Sequence, residues 1–316
     1  YENKIMLVGV PSEIKAQESR VGLTPASVSE LINLGHKVLI QDNAGFGAGF
    51  DNQQYEKVGA KIVSEPKNIF ESAEMIVKVK EPLMNEVEML RENQILFTYL
   101  HLSAAPELTK GLVDSKAICI AYETVTDNNN RLPLLAPMSA VAGRMSIQAG
   151  AHSLEKNQKG RGLLLGGAPG VKPGNVLILG GGVVGENAAI IATGMQASVY
   201  ILDKSEKRLN ELKSKFGEKI NTLLSGEIDL NNYITDCDLL IGGVLVPGAN
   251  APKLISREMI SESCLFSAVE GLIFVEKNNF FNPIQNENTN IFLLFSLMID
   301  IYKGKRQAFW IQLMEF

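Results

Sequence analysis

One glycine-rich stretch constrains the fold of this chain more than any other, VLILGGGVVGENAA at residues 176–189. It carries the pattern G-x-G-x-x-G at Gly180, Gly182 and Gly185, between a short apolar strand and a predicted helix. There Gly180 allows a tight turn, Gly182 lets the backbone approach a pyrophosphate, and Gly185 lets the helix pack closely on the strand. The free N–H groups at the helix start would face the phosphates. The stretch therefore predicts a strand–turn–helix unit that binds a dinucleotide.

An acidic residue beyond this motif indicates which dinucleotide is bound. Asp203 ends the next apolar run, SVYILD, 21 residues after Gly182, where a carboxylate can bind the adenosine ribose hydroxyls. A carboxylate there would repel a 2′-phosphate, so the sequence favours NAD over NADP. Lys204 and Arg208 lie nearby and leave NADP open.

Strands and helices alternate through most of the chain, which predicts an α/β fold with parallel sheets. Residues 1–135 contain four β-type runs, at 4–10, 37–40, 74–80 and 117–123, and a helix at 24–35 that Thr24 would cap. A helix at 139–158 connects this part to a second alternation, which holds the glycine motif and the strands INTLL (220–224) and DLLIGG (238–243). We therefore expect two α/β domains with doubly wound, mostly parallel sheets, at 1–135 and 136–275.

The material after about residue 260 differs in composition. Residues 261–316 hold two of the 28 glycines and ten of the 21 aromatic residues, and no helix or strand period persists. We interpret residues 276–316 as an atypical, weakly specified tail.

Three polar residues in the first part follow predicted strands. Arg20 follows the first strand, Lys80 ends MIVKVK, and His101 follows ILFTYL. In a parallel sheet these loops share one edge, where an arginine fork, a lysine and a histidine could hold a small keto or amino acid and move its proton. Each residue alone is more typical of a surface charge or a core histidine, so the residues leave both interpretations open. His36 and His152 are predicted to be structural.

Composition and charge exclude several classes of protein. The net charge of −5 gives no support to nucleic-acid binding, and the longest apolar run, nine residues at 291–299, is too short to span a membrane. Three scattered cysteines and an N-terminus without a signal-peptide core favour the cytoplasm. No metal site is predicted. The loop VLVPGANAPKL (244–254) is either a plain connector or a contact for the nicotinamide half of the dinucleotide.

Several longer motifs resemble the L-alanine dehydrogenases, and the resemblance runs from about residue 4 to residue 260. The motifs are GVPSEIKAQESRVGLTP, KVKEP, ILFTYLHLSAAPELT, AYETV, LPLLAPMSAVAGRMSIQAGAHSL, GVLVPGANAPKL and the glycine loop. The resemblance implies NAD-dependent oxidative deamination of L-alanine to pyruvate and ammonium, and the reverse. It also implies two Rossmann-like domains with the active site in the cleft between them, and a homo-oligomer, commonly a hexamer.

The resemblance also assigns roles to individual residues. It implies that Arg20 and Lys80 hold the substrate and that His101 is the catalytic histidine. The cofactor positions that it implies, together with the motif's third glycine, are Ser139, Gly180, Gly182, Val183, Gly185, Asp203, Arg208, Ser225, Val244 and Leu245.

The chain departs from the family pattern after LISREMI. The family continues there with an aspartate-bearing D-x-A-x-D-Q-G-G segment, which residues 261–283 do not contain. The abrupt change suggests a shifted reading frame, a hypothesis that the coding DNA would test. Two alternatives therefore stand beside the dehydrogenase: an NAD-binding protein with little or no turnover, and the NAD-binding domain of a proton-translocating transhydrogenase.

Overall fold

The structure is a computed structural model that describes residues 5–158, 160–244, 255, 259, 273–274 and 292–293. Contacts divide the chain between Leu134 and Leu135 into two compact units. Each unit is built on a parallel sheet with helices, as the alternation of strands and helices predicts.

The first unit contains a six-stranded sheet in the order β3-β2-β1-β4-β5-β6, in which every described pair of neighbours is parallel. This is the doubly wound order, and the direction of winding reverses between β1 and β4. Its strands are β1 (Leu7–Val10), β2 (Lys37–Gln41), β3 (Lys61–Val63), β4 (Met75–Val77), β5 (Ile95–Thr98) and β6 (Ile118–Ala121). Its helices are α1 (Pro25–Asn33), α2 (Asn52–Lys57), α3 (Pro66–Ser72), α4 (Met84–Val87) and α5 (Pro106–Ser115).

The first helix begins and ends where its sequence signals predict. The Thr24 side chain accepts the Ser27 N–H, and Pro25 occupies the first turn, where no backbone donor is needed. Gly35 has φ +90° just beyond the helix, a conformation that favours glycine.

Three of the four predicted runs of this unit give shorter strands, whereas β2 is one residue longer than its predicted run. The run 74–80 yields only β4, because the N–H groups of Val79 and Lys80 donate to the Glu13 carboxylate at 2.6 and 3.3 Å. A side chain thus replaces a neighbouring strand as the acceptor for this backbone.

Apolar residues of the first sheet are buried on both faces. Val8 and Val10 of β1 and Ile40 of β2 are almost fully buried, and Ile69 and Phe70 of α3 are also buried. The backbone of β1 lies so close to α3 that a Cβ added at Gly9 would lie 2.5 Å from Ile69 Cγ2. This core fixes the strand ends that carry the loops described below.

The second unit contains a four-stranded parallel sheet in the order β10-β7-β8-β9. Its strands are β7 (Asn175–Leu179), β8 (Ser198–Asp203), β9 (Ile220–Leu224) and β10 (Leu239–Gly242). Its helices are α6 (Ala136–Ser153), α7 (Val183–Gly194), α8 (Glu206–Phe216) and α9 (Leu230–Asp236). The winding reverses between β7 and β10, beside the glycine loop.

Helix α6 packs a face of small residues against α7. A Cβ added at Gly143 would lie 2.1 Å from the Val184 carbonyl oxygen, so only glycine fits. The helix ends at Ser153, before the predicted end at 158, because the backbone turns at the buried Leu154, whose carbonyl accepts the Gly162 and Leu163 N–H groups.

Two further strands, β11 (Ile273–Phe274) and β12 (Phe292–Leu293), pair in parallel. The rest of the predicted tail, with the segment where the family aspartate is expected, lies outside the described residues. No helix in the described part of the chain has the length and apolar character needed to span a membrane.

Candidate functional site

Arg20 lies in the connection between β1 and α1 and is held by a neighbouring carboxylate. Its Nε and Nη2 donate to the two Glu18 carboxylate oxygens at 2.8 and 2.6 Å, and its backbone N–H donates to Glu18 Oε1 at 2.9 Å. Burial by itself would lower the pKa of Arg20, but the hydrogen bonds and charge of Glu18 raise it. The guanidinium therefore stays charged and keeps one orientation.

Lys80 lies just beyond β4, and two contacts fix its backbone. Its N–H donates to Glu13, and its carbonyl accepts the hydroxyl of the fully buried Thr98 at 2.8 Å. Burial is the main reason that the pKa of Lys80 is lowered; the charge of Glu81 opposes this shift, and the charges of Arg20 and Lys15 add to it. The charges of Lys80 and Arg20 thus repel each other. An anion bound between the loops that carry them would relieve this repulsion.

His101 follows β5 and has the left-handed backbone conformation, with φ +50° and ψ +38°. Its ring stacks on Tyr99, with 6.0 Å between centroids and 11° between planes. Burial lowers the pKa of His101 below its ordinary value, although the charges of Glu123 and Glu81 oppose that shift. At neutral pH the imidazole is therefore mainly neutral and able to accept a proton.

Glu81 contributes an unused acceptor to the same region. Its Oε1 pairs with Lys15, while its Oε2 is buried and has no hydrogen-bond partner among the described residues. Burial would raise the pKa of Glu81, but the pairing with Lys15 lowers it overall. A buried carboxylate oxygen without a donor is an available acceptor for a bound N–H or O–H group.

The three residues predicted from sequence thus lie where parallel strands end at one edge of the first sheet. Arg20 and Lys80 occupy the loops on either side of the reversal between β1 and β4, where doubly wound sheets bind ligands. Their functional roles remain a prediction. The sequence motifs did not identify the groups around these three residues. All of them are acids or aromatic residues near strand ends, which is the signal that could have indicated them. They are Glu13, Glu18, Glu81, Tyr99 and Glu123.

The other two histidines occupy structural positions. His36 Nδ1 accepts the Met6 N–H at 3.2 Å, and His152 contacts Glu155 at 3.4 Å within one turn at the exposed end of α6.

The glycine loop of the second unit has the geometry that its spacing predicts. Gly180 has φ +96°, and its N–H donates to the Leu202 carbonyl at 2.7 Å. A Cβ at Gly185 would lie 1.9 Å from the Gly180 carbonyl oxygen, whereas a Cβ at Gly182 would meet no atom within 4 Å. The loop is thus tightly packed at Gly185 and open at Gly182, where a pyrophosphate would approach.

Replacing Gly185 with alanine is expected to destabilise the protein, because the new methyl group meets backbone that cannot move aside. Overpacking of this kind costs about 1–3 kcal/mol. Gly194→Ala is the control in the same helix, since its Cβ would meet nothing within 4 Å. Chemical denaturation should show a loss for the first variant and none for the second. Equal stabilities would contradict the close packing.

Asp203 ends β8 and binds the glycine loop. Its Oδ2 accepts the Gly181 N–H at 2.7 Å, and its Oδ1 accepts the Ser205 N–H at 2.8 Å. Arg208 Nε donates to the Gly181 carbonyl at 2.7 Å, and its guanidinium pairs with Glu186 and Glu211. The acid predicted to bind the ribose therefore has a fixed orientation beside the loop.

The remaining predicted cofactor residues occupy varied positions. Ser139 is buried on α6 and its hydroxyl donates to the Leu135 carbonyl at 3.2 Å, while Ser225 is exposed after β9. Val183 begins α7 and is 43% exposed, and the Val244 side chain lies beside Gly180. Leu245 lies outside the described residues. In the described part of the chain, no group of three or more His, Cys, Asp or Glu residues is arranged to hold a metal ion.

Comparisons with known proteins cover both units. The family model "Alanine dehydrogenase/PNT, N-terminal domain" matches residues 9–142, and "Alanine dehydrogenase/PNT, C-terminal domain" matches residues 146–264. The chain is 54% identical over 255 residues to the alanine dehydrogenase of Methanococcus maripaludis, covering 81% of this chain and 68% of the relative. It is 51% identical over 257 residues to that of Bacillus subtilis, with the same coverage of both proteins.

Solved structures agree with these relatives. An L-alanine dehydrogenase superposes with a TM-score of 0.77 at 49% identity, covering 85% of this chain and 74% of the other. A transhydrogenase from Sinorhizobium meliloti superposes with a TM-score of 0.67 at 22% identity, covering 85% and 77%, which shows a shared fold. The resemblance deduced from the sequence motifs is confirmed. Since the two family models and relatives about half identical in sequence cover four fifths of its length, the chain belongs to the alanine dehydrogenase/PNT family.

Proposed function

We propose that the chain catalyses the NAD-dependent oxidative deamination of L-alanine to pyruvate and ammonium, and the reverse reaction. The observation that carries this proposal is the placement of Arg20, Lys80 and His101 at one edge of the first sheet, in a chain of this family. Residues 1–135 would form the substrate domain and residues 136–275 the NAD-binding domain, followed by the tail at 276–316.

Arg20 and Lys80 would bind the carboxylate that alanine and pyruvate share. A guanidinium already oriented by Glu18 loses little freedom when it binds, and Lys80 adds a second positive charge. Because the two cations repel each other, an anion between them is bound more strongly than it would be by either alone.

His101 would exchange the proton that the reaction moves. In the direction of alanine oxidation its neutral imidazole accepts a proton, and in the direction of pyruvate amination its imidazolium donates one. Burial favours the neutral form and so prepares the residue for the oxidation.

The residues of the second unit fit NAD. The open space above Gly182 would accept the pyrophosphate, and the Asp203 carboxylate, fixed by the Gly181 N–H, would bind the ribose hydroxyls. Arg208 pairs with two acids, Glu186 and Glu211, and also donates to the Gly181 carbonyl, so a 2′-phosphate would have to compete with both carboxylates for it. When bound, NAD supplies the hydride acceptor. The remaining residues proposed to contact it are Ser139, Gly180, Val183, Gly185, Ser225, Val244 and Leu245.

The resemblance to alanine dehydrogenases also supports a homo-oligomer, with six subunits the expected number, and a cytoplasmic location. Mass photometry of the purified chain would give the assembly directly. The substrates proposed are small molecules: L-alanine, pyruvate and ammonium.

A turnover assay tests the proposal. The purified chain should oxidise NADH when pyruvate and ammonium are both present, and NADPH should be a much poorer substrate. An NADH fluorescence titration in parallel reports whether the cofactor binds. Cofactor binding without turnover would contradict the proposed activity and favour a binding protein instead.

Replacing Arg20 with alanine is expected to raise the KM for pyruvate. Hydrogen bonds to charged groups contribute about 1.5–3 kcal/mol each, so their loss corresponds to roughly 10- to 150-fold in KM. Arg20→Lys keeps the charge but not the planar fork and should give an intermediate value. Arg131→Ala, at an exposed position, is the control and should leave KM unchanged. An unchanged KM in Arg20→Ala would exclude the proposed role.

A further inference from the structure

One carboxylate holds the backbone around His101 from a neighbouring loop. Glu123 lies two residues beyond β6, and its Oε1 accepts the His101 N–H at 2.7 Å and the Leu100 N–H at 3.1 Å. Its Oε2 is 3.3 Å from the same Leu100 nitrogen. A single side chain thus satisfies two consecutive backbone donors just where β5 has ended.

This contact supports an uncommon backbone conformation. His101 has φ +50°, in the left-handed region, which costs non-glycine residues free energy that the surrounding contacts offset. Tyr99 stacks on the imidazole from one side, while the Tyr99 hydroxyl donates to the Leu134 carbonyl at 2.5 Å. The ring of Tyr122 meets Tyr99 edge-on at 5.0 Å. Glu123 provides the hydrogen bonds, and the tyrosines provide the packing.

We propose that Glu123 is a positioning residue for His101: its carboxylate fixes the backbone that carries the imidazole and acts on the ring through its negative charge. The proposal rests on the proposed function, which gives His101 its proton-transfer role. The contact is made by residues that the sequence separates by 22 positions and that adjacent strands bring to one edge of the sheet.

The charged groups that act on His101 are Glu123, Glu81, Lys80 and Lys15. Burial, the largest effect, lowers the pKa of His101; Glu123 and then Glu81 raise it, and the two lysines lower it. Glu81 is paired with Lys15, so part of its effect is cancelled locally. Among the charged groups Glu123 therefore has the largest influence, and its removal should lower the His101 pKa.

The Glu123→Gln variant separates the effect of the negative charge of Glu123 from the effect of its hydrogen bonds to the backbone. Because Oε1 accepts both N–H groups, an amide oxygen at that position in Glu123→Gln can keep these two shorter hydrogen bonds, while the negative charge and the longer 3.3 Å contact of Oε2 with the Leu100 N–H are lost. Glu123→Ala removes both the charge and the acceptor. Glu107→Gln, an exposed position at the start of α5, is the control for net charge.

The readout is an NMR titration of the histidine rings, which needs no turnover. The chain has three histidines, so three resonances are expected, and the one missing in His101→Asn identifies His101. In Glu123→Gln the His101 pKa should fall, and in Glu107→Gln it should keep its parent value. An unchanged His101 pKa in Glu123→Gln would overturn the role of the charge.

Kinetics then test the geometric role. Glu123→Ala should lose on the order of 10²-fold in kcat/KM, mostly through kcat, because a misplaced proton carrier slows chemistry more than binding. Glu123→Gln should retain much more activity and shift its pH profile with the His101 pKa. Equal kcat values for Glu123→Ala and the parent would overturn the proposal. If the parent itself does not turn over, the proposed function fails, while the titration still decides whether Glu123 acts on His101.

Discussion

Replacing His101 with asparagine is expected to lower kcat by about 10²–10⁴-fold, the usual contribution of a positioned acid–base group. Asparagine tolerates the left-handed backbone that His101 adopts, so the loop should keep its shape while the titrating ring is lost. NADH binding and the KM for pyruvate should change little, because neither the glycine loop nor Arg20 is altered. Steady-state kinetics in both directions measure the effect.

The pH dependence of the parent supplies a second check on this variant. Alanine oxidation needs neutral His101, so its rate should fall as the pH drops through the His101 pKa. Burial lowers that pKa, so the fall should begin at a lower pH than for an ordinary histidine. Pyruvate amination needs the imidazolium and should lose rate as the pH rises through the same value. Both pH-dependent losses of rate should disappear in His101→Asn and persist in His152→Asn. A loss that remains in His101→Asn would have to come from the titration of another group.

Replacing Lys78 with methionine is expected to cost about 3–5 kcal/mol of folding free energy, the usual effect of removing one partner from a buried ion pair. Lys78 is fully buried at the end of β4, with its Nζ 2.8 Å from Glu86 Oε1 and 3.2 Å from Glu13 Oε2. Burial already raises the pKa of Glu13, and loss of the ammonium would leave two buried carboxylates without a cation. Urea denaturation followed by circular dichroism measures the loss.

Two further variants separate this effect from a general loss of charge. Lys67→Met removes an exposed lysine that contacts Glu71 at 3.6 Å and should change stability by less than about 1 kcal/mol. Neutralising both acids together with the lysine, as Glu13→Gln, Lys78→Met and Glu86→Gln, should recover part of the loss, because no buried charge is then left alone. A triple variant less stable than Lys78→Met would contradict this explanation.

The sequence predicts much of the sheet architecture because periodic apolar runs and glycine spacing are local signals. The pattern at Gly180, Gly182 and Gly185 defines a turn whose geometry follows from steric limits alone, and the structure has that geometry. The placement of Arg20, Lys80 and His101 at one edge also follows, since parallel strands deliver their following loops to the same side.

An acid or aromatic residue near a strand end marks the groups around these residues as candidates, but their actual contacts could not be predicted because they depend on which strands are neighbours. Glu123 reaches His101 only because β6 pairs with β5, with Ala121 opposite Thr98. Glu13 replaces a strand as the partner of the backbone at Lys80, which is why the predicted strand at 74–80 is too long. Histidine adopts the left-handed conformation more often than most residues, but this preference is too weak to predict it at His101.

The contact between α6 and α7 couples two parts of the proposed cofactor site mechanically. Gly143 lies against the carbonyl of Val184, in the first turn of α7, one residue before the glycine that packs under the Gly180 carbonyl. Ser139 is one helical turn before Gly143 on the same helix. Because Gly143 has no side chain to separate the helices at this point, we expect a tilt of α6 to move the start of α7 and the glycine loop with it. Ser139 and the glycine loop would therefore move together when a dinucleotide binds, rather than as two independent contacts.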